Sequence, residues 1–310
     1  MPPKVSIITV NYNQPDVTRD LLLSIRRCGL FNSCEVLVID NGSQESLEKR
    51  IGSMFPEVIF IRSEQNLGFA GGNNLGIAAA KGDYLFFINN DTELTPDLVE
   101  KLLAVFAQKK DAGVVCPKIC YFEPPHLIQY VGYSRLNPYT ARNTTIGQYE
   151  TDNGQYKQIM PTHYAHGAAM MVKREAIEKA GMMPEVFFLY YEELDWSEQI
   201  KRAGYTIYVE PNAVVYHKES VSVGVLNPLK TYYLTRNRIL FMRRNAKHLE
   251  KIGFFMFLLF FTIPKNSLFF LFKGQKQHLF AFWKGILWHF RYPANFVWNG
   301  YLAQADLSVF

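Results

Sequence analysis

The feature that most constrains this chain is a repeating pattern over residues 5–88, in which a short apolar, often β-branched run alternates with a helical period. Residues 5–10 predict a strand. Residues 15–27 predict a helix with Leu21, Leu22 and Ile25 on one face. A second strand follows at 35–39, a helix at 44–51, a third strand at 58–61, a small-residue helix at 70–80 and a fourth strand at 84–88. Strands separated by helices predict a parallel sheet covered on both faces. Open sheets of this kind bind ligands beyond the carboxyl ends of their strands. Polar residues gather there: Asn11-Tyr12-Asn13 after the first strand, Asp40-Asn41-Gly42-Ser43 after the second, and Asn89-Asn90-Asp91 after the fourth. Three such ends predict one crevice.

The later chain is less regular. Residues 123–160, rich in Pro, Asn, Tyr, Gly and Thr, predict a loop or irregular hairpin. An apolar run follows at 164–172, helices at 174–181 and 194–203, and strands at 206–209 and 213–217. From Pro228 the character changes. A long helix is expected over 229–246, then an apolar run over 252–263 that Pro264 and Lys265 interrupt. That run is short of the roughly 20 apolar residues a clean membrane span needs. Residues 280–290 mix aromatic and basic side chains as interfacial helices do.

Composition narrows the classes. With 48% hydrophobic and 20% charged residues, the chain is core-bearing rather than disordered. From residue 230 onward twelve Lys/Arg face two acids, Glu250 and Asp306, so the positive charge sits in the tail. The tail's aromatics come in unbroken apolar runs with Leu, which fits a membrane surface better than a nucleic-acid groove, with a soluble helical appendage packed on the preceding domain as the alternative. The four cysteines form no CxxC pair and have no His at zinc-ligand spacing, as expected of reduced cytoplasmic thiols. The apolar run at 5–10 is too short for a secretory signal. A cytoplasmic protein, peripheral on the inner face of the cell membrane, is expected.

Three groups can carry chemistry. Phe86-Phe87-Ile88-Asn89-Asn90-Asp91-Thr92 ends a strand in a carboxylate, where a hard divalent cation can share oxygen ligands with a diphosphate. Alone, the same residues make an ordinary turn and helix cap. Glu192-Glu193-Leu194-Asp195-Trp196 opens a helix, as acids favour. Two adjacent carboxylates can also divide their roles, one orienting a ligand and the other taking a proton with a raised pKa. His217 ends a strand, either as a structural residue or as a metal ligand.

Taken together and in order, residues 5–13, 38–43, 66–74 (Asn-Leu-Gly-Phe-Ala-Gly-Gly-Asn-Asn), 89–92, 166–169 (His-Gly-Ala-Ala) and 191–196 resemble the family 2 glycosyltransferases, in particular their bacterial rhamnosyltransferase-like branch. The resemblance covers roughly residues 4–245. It implies a GT-A fold, an α/β architecture with a mostly parallel, Rossmann-like central sheet, over a catalytic domain at 1–227. The donor half is about 1–120 and the acceptor half about 121–227, with a helical, aromatic-rich, membrane-associating extension at 228–310. It further implies an inverting hexosyltransferase that moves rhamnose or another hexose from a dTDP- or UDP-sugar to a saccharide or lipid-linked saccharide. A divalent metal, Mg²⁺ or Mn²⁺, would assist.

By matched position, Thr9, Val10, Asn11 and Tyr12 would wall the nucleotide base and Asp40 would accept the N3–H of uracil or thymine. Gly71, Gly72 and Asn73 would let the backbone approach the donor, with Asn89 and Asn90 beside it. Asp91 and His217 would hold the metal, with Asn89 at a position that is often Asp in the family. Glu193 would be the general base. His166, Gly167, Glu192, Asp195 and Trp196 would face the acceptor. Two alternatives differ in class: a sugar nucleotidyltransferase, whose basic Gly-rich loop should follow the first strand, and an inactive membrane-tethered sugar-nucleotide-binding module.

Overall fold

The computed structural model describes residues 4–218 and 227–292. The predicted front half is present as β1 (Val5–Asn11), α1 (Pro15–Arg27), β2 (Cys34–Asn41), α2 (Leu47–Ile51), β3 (Ile59–Ser63), α3 (Gly68–Ala79) and β4 (Tyr84–Ile88). These strands lie side by side in the order β3-β2-β1-β4, every pair parallel. β1, β2 and β4 are buried on both faces at their centres, as Ile7, Ile8, Val36–Ile39 and Leu85–Phe87 require, while the edge strand β3 is partly exposed.

The sheet then changes character. The chain continues through β5 (Thr92–Leu94), α4 (Leu98–Gln108), β6 (Ala112–Tyr121), β7 (Ile128–Tyr130), β8 (Met160–Thr162), β9 (Ala169–Lys173), α5 (Arg174–Ala180), α6 (Glu192–Arg202) and β10 (Thr206–His217). β9 enters antiparallel between β4 and β6, and β10 lies parallel to β6 with β5 antiparallel at its far side. The sheet is therefore mixed, its parallel half β3-β2-β1-β4 joined through the antiparallel β9 to the parallel pair β6-β10. The two strands expected at 206–209 and 213–217 are one strand with a bulge between Glu210 and Val214. Glu210 holds that bulge by accepting from both the backbone and side-chain nitrogens of Asn212 at 2.8 Å.

Asn227 caps α7 (Pro228–Asn245), its side chain accepting from Leu229 N at 2.8 Å, with Pro228 in the first turn. α8 (His248–Phe257) follows, then α9 (Ile263–Phe272) and α10 (Lys276–Arg291). Pro264 does not interrupt the apolar run as expected. A π-helical turn at Leu258–Thr262 precedes it and joins α8 and α9 into one helix, His248–Phe272. The widened turn accommodates a ring that would collide with the carbonyl four residues back in an α-helix. By length and composition this helix can cross a membrane. Its outer face exposes Phe255, Met256, Leu259, Phe260, Phe261 and Phe272. Residues 293–310 of the expected extension lie outside the described residues.

Two hydrophobic cores result. One surrounds the sheet. The other joins Phe187, Phe188 and Tyr164 to Tyr232, Tyr233, Phe241, Phe254 and Phe282 of the C-terminal helices. α7 and α10 cross closely at Gly285, where a Cβ would come within 2.9 Å of the Tyr232 carbonyl.

Candidate active site

The ends of β1, β2 and β4 meet in a hydrogen-bonded chain. Asn90 donates from its amide to Thr18 Oγ1 at 3.1 Å, and Thr18 donates to Asn11 Oδ1 at 2.9 Å. The Asn11 amide then reaches Ser43 Oγ at 3.1 Å and Asp40 Oδ1 at 3.4 Å. Asp40 is buried, its Oδ2 taking the Leu47 backbone N–H at 3.1 Å and the Arg62 guanidinium at 3.3 Å. Its Oδ1, with only the long contact from Asn11, retains acceptor capacity. Asn11, Ser43 and Leu47 line a cleft of about 350 Å³ whose outer rim includes Glu45 and Arg50. Tyr12, 46% exposed, offers its ring at this strand end.

Other residues expected at the donor lie elsewhere. Thr9 is fully buried within the sheet. Val10 packs on α3, where a Cβ on Gly72 would come within 2.9 Å of Val10 Cγ1 and one on Gly76 within 2.4 Å of Ile8. Gly71, Gly72 and Asn73 are buried in α3, and Asn73 donates to the Phe69 carbonyl at 2.9 Å. Gly72 and Gly76 thus serve the approach of α3 to the sheet, while a Cβ on Gly71 would meet Leu67 at 2.6 Å.

Asp91 follows β4, and the antiparallel register of Thr92 with His217 brings it to the end of β10. Asp91 Oδ1 lies 3.1 Å from His217 Nε2, both side chains being under 10% exposed. Gln129 Oε1 is 2.8 Å from His217 Nδ1, which holds the ring with Nε2 turned toward Asp91. Asp91 Oδ1 and His217 Nε2 have no hydrogen-bond partner. Two buried polar atoms this close with no hydrogen bond between them leave a place for a positive species to join them. Their 3.1 Å spacing also suits adjacent ligands on a cation with bonds of about 2.1 Å. The residues therefore fit a divalent metal. Among the described residues no third His, Cys, Asp or Glu completes the group, which leaves positions for water and substrate oxygens. Asn89 is fixed through its backbone, its N–H donating to the Ala168 carbonyl at 2.9 Å and its carbonyl accepting from Thr92 Oγ1 at 2.7 Å.

The acid pair sits across the crevice on a strained approach. Phe188, Tyr190 and Tyr191 all have positive φ, 63°, 69° and 75°, a conformation that non-glycine residues adopt at a cost of about 1–3 kcal/mol each. α7 compensates. The Asn237 amide donates to the carbonyls of Phe187, Leu189 and Tyr190 at 2.7–2.8 Å, and Arg236 donates to those of Val186 and Phe187 at 2.7 Å. Tyr191 then caps α6 and presents Glu192 and Glu193.

Burial pushes the Glu193 carboxyl up to about 7, and burial with the neighbouring Glu193 charge drives Glu192 well above the usual carboxylate range. One oxygen of each has no hydrogen-bond partner. Gly167 lies against Glu193, where a Cβ would stand 3.9 Å from Glu193 Cγ. His166 stacks on Tyr133 with centroids 5.8 Å apart and meets the His217 ring edge-on at 6.4 Å. Burial, then the His217 charge, lowers His166 to about 3, so it is neutral at physiological pH and its Nδ1 accepts from Ala168 N.

Two residues expected at the acceptor are turned inward. Asp195 is fully buried and bound by Arg244, through Nε and Nη2 at 3.0 Å, and by Asn245 at 2.6 Å. Trp196 packs edge-on against Phe87 at 5.6 Å and donates to the Gly181 carbonyl at 2.8 Å. Both fasten α6 in place and neither has a surface left for an acceptor. Thr18, Gln129, Arg236 and Asn237 are contributors that the motifs did not reveal. For Arg236 and Asn237 a signal existed, the polar run Thr235-Arg236-Asn237-Arg238 between apolar residues 232–234 and 239–242.

Fold and crevice together define a GT-A type nucleotide-sugar enzyme. The chain belongs to glycosyl transferase family 2, whose family model matches residues 6–181. It is 27% identical over 210 residues to the low-salt glycan biosynthesis hexosyltransferase Agl10 of Haloferax volcanii, covering 66% of this chain and 63% of that protein. It is 24% identical over 209 residues to the N-acetylglucosaminyl-diphospho-decaprenol L-rhamnosyltransferase of Mycobacterium tuberculosis, covering 61% and 68%. A mannosyltransferase from Pyrobaculum calidifontis, solved with GDP-Man and Mn²⁺, shares the fold with a TM-score of 0.57 at 15% identity, covering all of this chain and 80% of that one.

Proposed function

We propose that this chain is an inverting hexosyltransferase of surface polysaccharide synthesis. It would take rhamnose or a related hexose from a dTDP- or UDP-sugar to a saccharide or lipid-linked saccharide, at the cytoplasmic face of a membrane. The observation that carries the reading is that His166 and Tyr133 link Glu193, a carboxyl raised to about 7, to the unsatisfied Asp91–His217 pair: His166 meets the His217 ring at 6.4 Å and stacks on Tyr133, on which the Glu193 charge acts. Asn11, Asp40 and Ser43 bind the nucleotide base and its neighbouring ribose. A divalent metal held by Asp91 and His217 supplies charge neutralisation at the diphosphate. Glu193 takes the proton from the acceptor hydroxyl as it attacks the anomeric carbon from the face opposite the diphosphate. Glu192, buried beside it, keeps its proton and orients the acceptor. The exposed Phe and Leu of α8–α9, with the basic residues around them, support attachment to the membrane.

The name of the mycobacterial relative and the branch resemblance favour dTDP-rhamnose as the first donor to try. Incubation with Mn²⁺ and a panel of nucleotide sugars is expected to release nucleoside diphosphate from one of them. Release of pyrophosphate would contradict the reading and favour a nucleotidyltransferase. Inertness toward every donor would favour a binding module.

A further inference from the structure

A second cavity, of about 300 Å³, lies between α7, the α8–α9 helix and the turn at residues 141–142. Its wall includes Arg142, Tyr191, Arg238, Leu258, Thr262 and Phe270. The chemistry above uses none of it, yet Tyr191 is both part of the wall and the cap of α6, two residues before Glu193.

The wall is divided in character. Arg142 and Arg238 lie close enough for their charges to act on each other and on the Tyr191 hydroxyl. No carboxylate pairs with either among the described residues. Arg238 donates through Nη2 to the Thr140 carbonyl, while its Nε is buried without a partner. Thr262, 5% exposed, likewise carries a hydroxyl with no partner. A buried donor left unmade costs about 1–3 kcal/mol, so two such groups in one cavity, beside two guanidinium groups that no carboxylate pairs, mark a place for an anion. The remaining wall is hydrocarbon, from Leu258 and Phe270. It belongs to the same helix that exposes Leu259, Phe260 and Phe261 on its outer side. An anion with an apolar tail fits this cavity, whereas a free phosphate would leave the apolar wall unused.

We propose that this cavity binds the phosphate of a lipid-linked acceptor, Arg142 and Arg238 donating to the phosphate oxygens while Leu258 and Phe270 take the first carbons of the chain. This rests on the glycosyltransferase reading and deepens it. The phosphate is anchored beside Tyr191, and the saccharide it carries extends toward Glu193.

The test uses the full chain in a nonionic detergent and isothermal titration calorimetry with farnesyl phosphate, farnesol and inorganic phosphate. Farnesyl phosphate is expected to bind at least tenfold more tightly than either of the others. Arg142→Gln, at an exposed side chain, and Arg238→Lys, which keeps the charge but loses the planar fork, are each expected to weaken it about tenfold and leave farnesol unchanged. Equal affinity for farnesol and farnesyl phosphate, or unchanged affinity in both variants, would overturn the proposal. So would a loss of binding to phosphatidylglycerol vesicles with farnesyl phosphate binding retained, since the cavity would then serve bilayer lipid. Binding of UDP or dTDP with Mn²⁺ on the same samples reads the donor crevice alone. Absence of binding by both UDP and dTDP in the wild type would count against the glycosyltransferase reading, whatever farnesyl phosphate does.

Discussion

The two sides of the crevice are built in different ways. On the donor side, Asn11, Asp40 and Asp91 stand directly after strands, and parallel pairing alone brings their ends together. On the acid side, Glu193 follows a segment with three positive-φ residues that cannot hold itself. Arg236 and Asn237, more than forty residues later, hold it through five hydrogen bonds. The donor side is preorganised by topology, the acid side by tertiary contact with the C-terminal helices. Donor binding and proton transfer should therefore fail separately.

The largest separation is expected from Glu193→Gln. Removing a general base costs about 10²–10⁴-fold in kcat, while UDP affinity by calorimetry should stay within twofold. Asp91→Asn should act on the other side. It removes the charge that would hold the metal, so the melting temperature of the metal-free protein is the reference. Mn²⁺ should then add little to that temperature, and turnover should fall about 100-fold for want of charge at the diphosphate.

A smaller effect is expected from Asn237→Ala, which touches neither donor nor acid. Loss of its three bonds should loosen residues 187–190 and lower kcat about tenfold with the donor KM unchanged. If donor KM rose instead, the two sides would not be independent. Asp195→Ala should be a stability variant, losing about 3 kcal/mol in denaturant unfolding because Arg244 is left without its carboxylate. Activity at a temperature where the variant is folded should remain within a few fold.

The same contrast explains what the sequence could tell. The parallel strands and the polar residues after them were legible because both signals are local: a β-branched run, then Asn or Asp. The insertion of β9 antiparallel between β4 and β6 was not, since no periodicity reports a strand's direction. The packing of Gly72 on Val10 was not legible, because a glycine that admits a helix to a sheet looks the same as one that admits a ligand. Asp195 and Trp196 fall within a matched motif, but their partners Arg244 and Gly181 are set by packing. Pro264 marked a break only on the assumption of an unbroken α-helix, and the π turn before it removes that need.

The account rests on Glu193 as a buried base whose carboxyl titrates near neutrality. The most direct test is the pH dependence of kcat/KM with the donor found active. The folded group, raised from 4.5 to about 7, is a competent base only above that value, so the rate should fall tenfold per pH unit below about 7 and level above it. An acid limb displaced to pH 4–5, or a Glu193→Gln variant that keeps wild-type turnover, would contradict it.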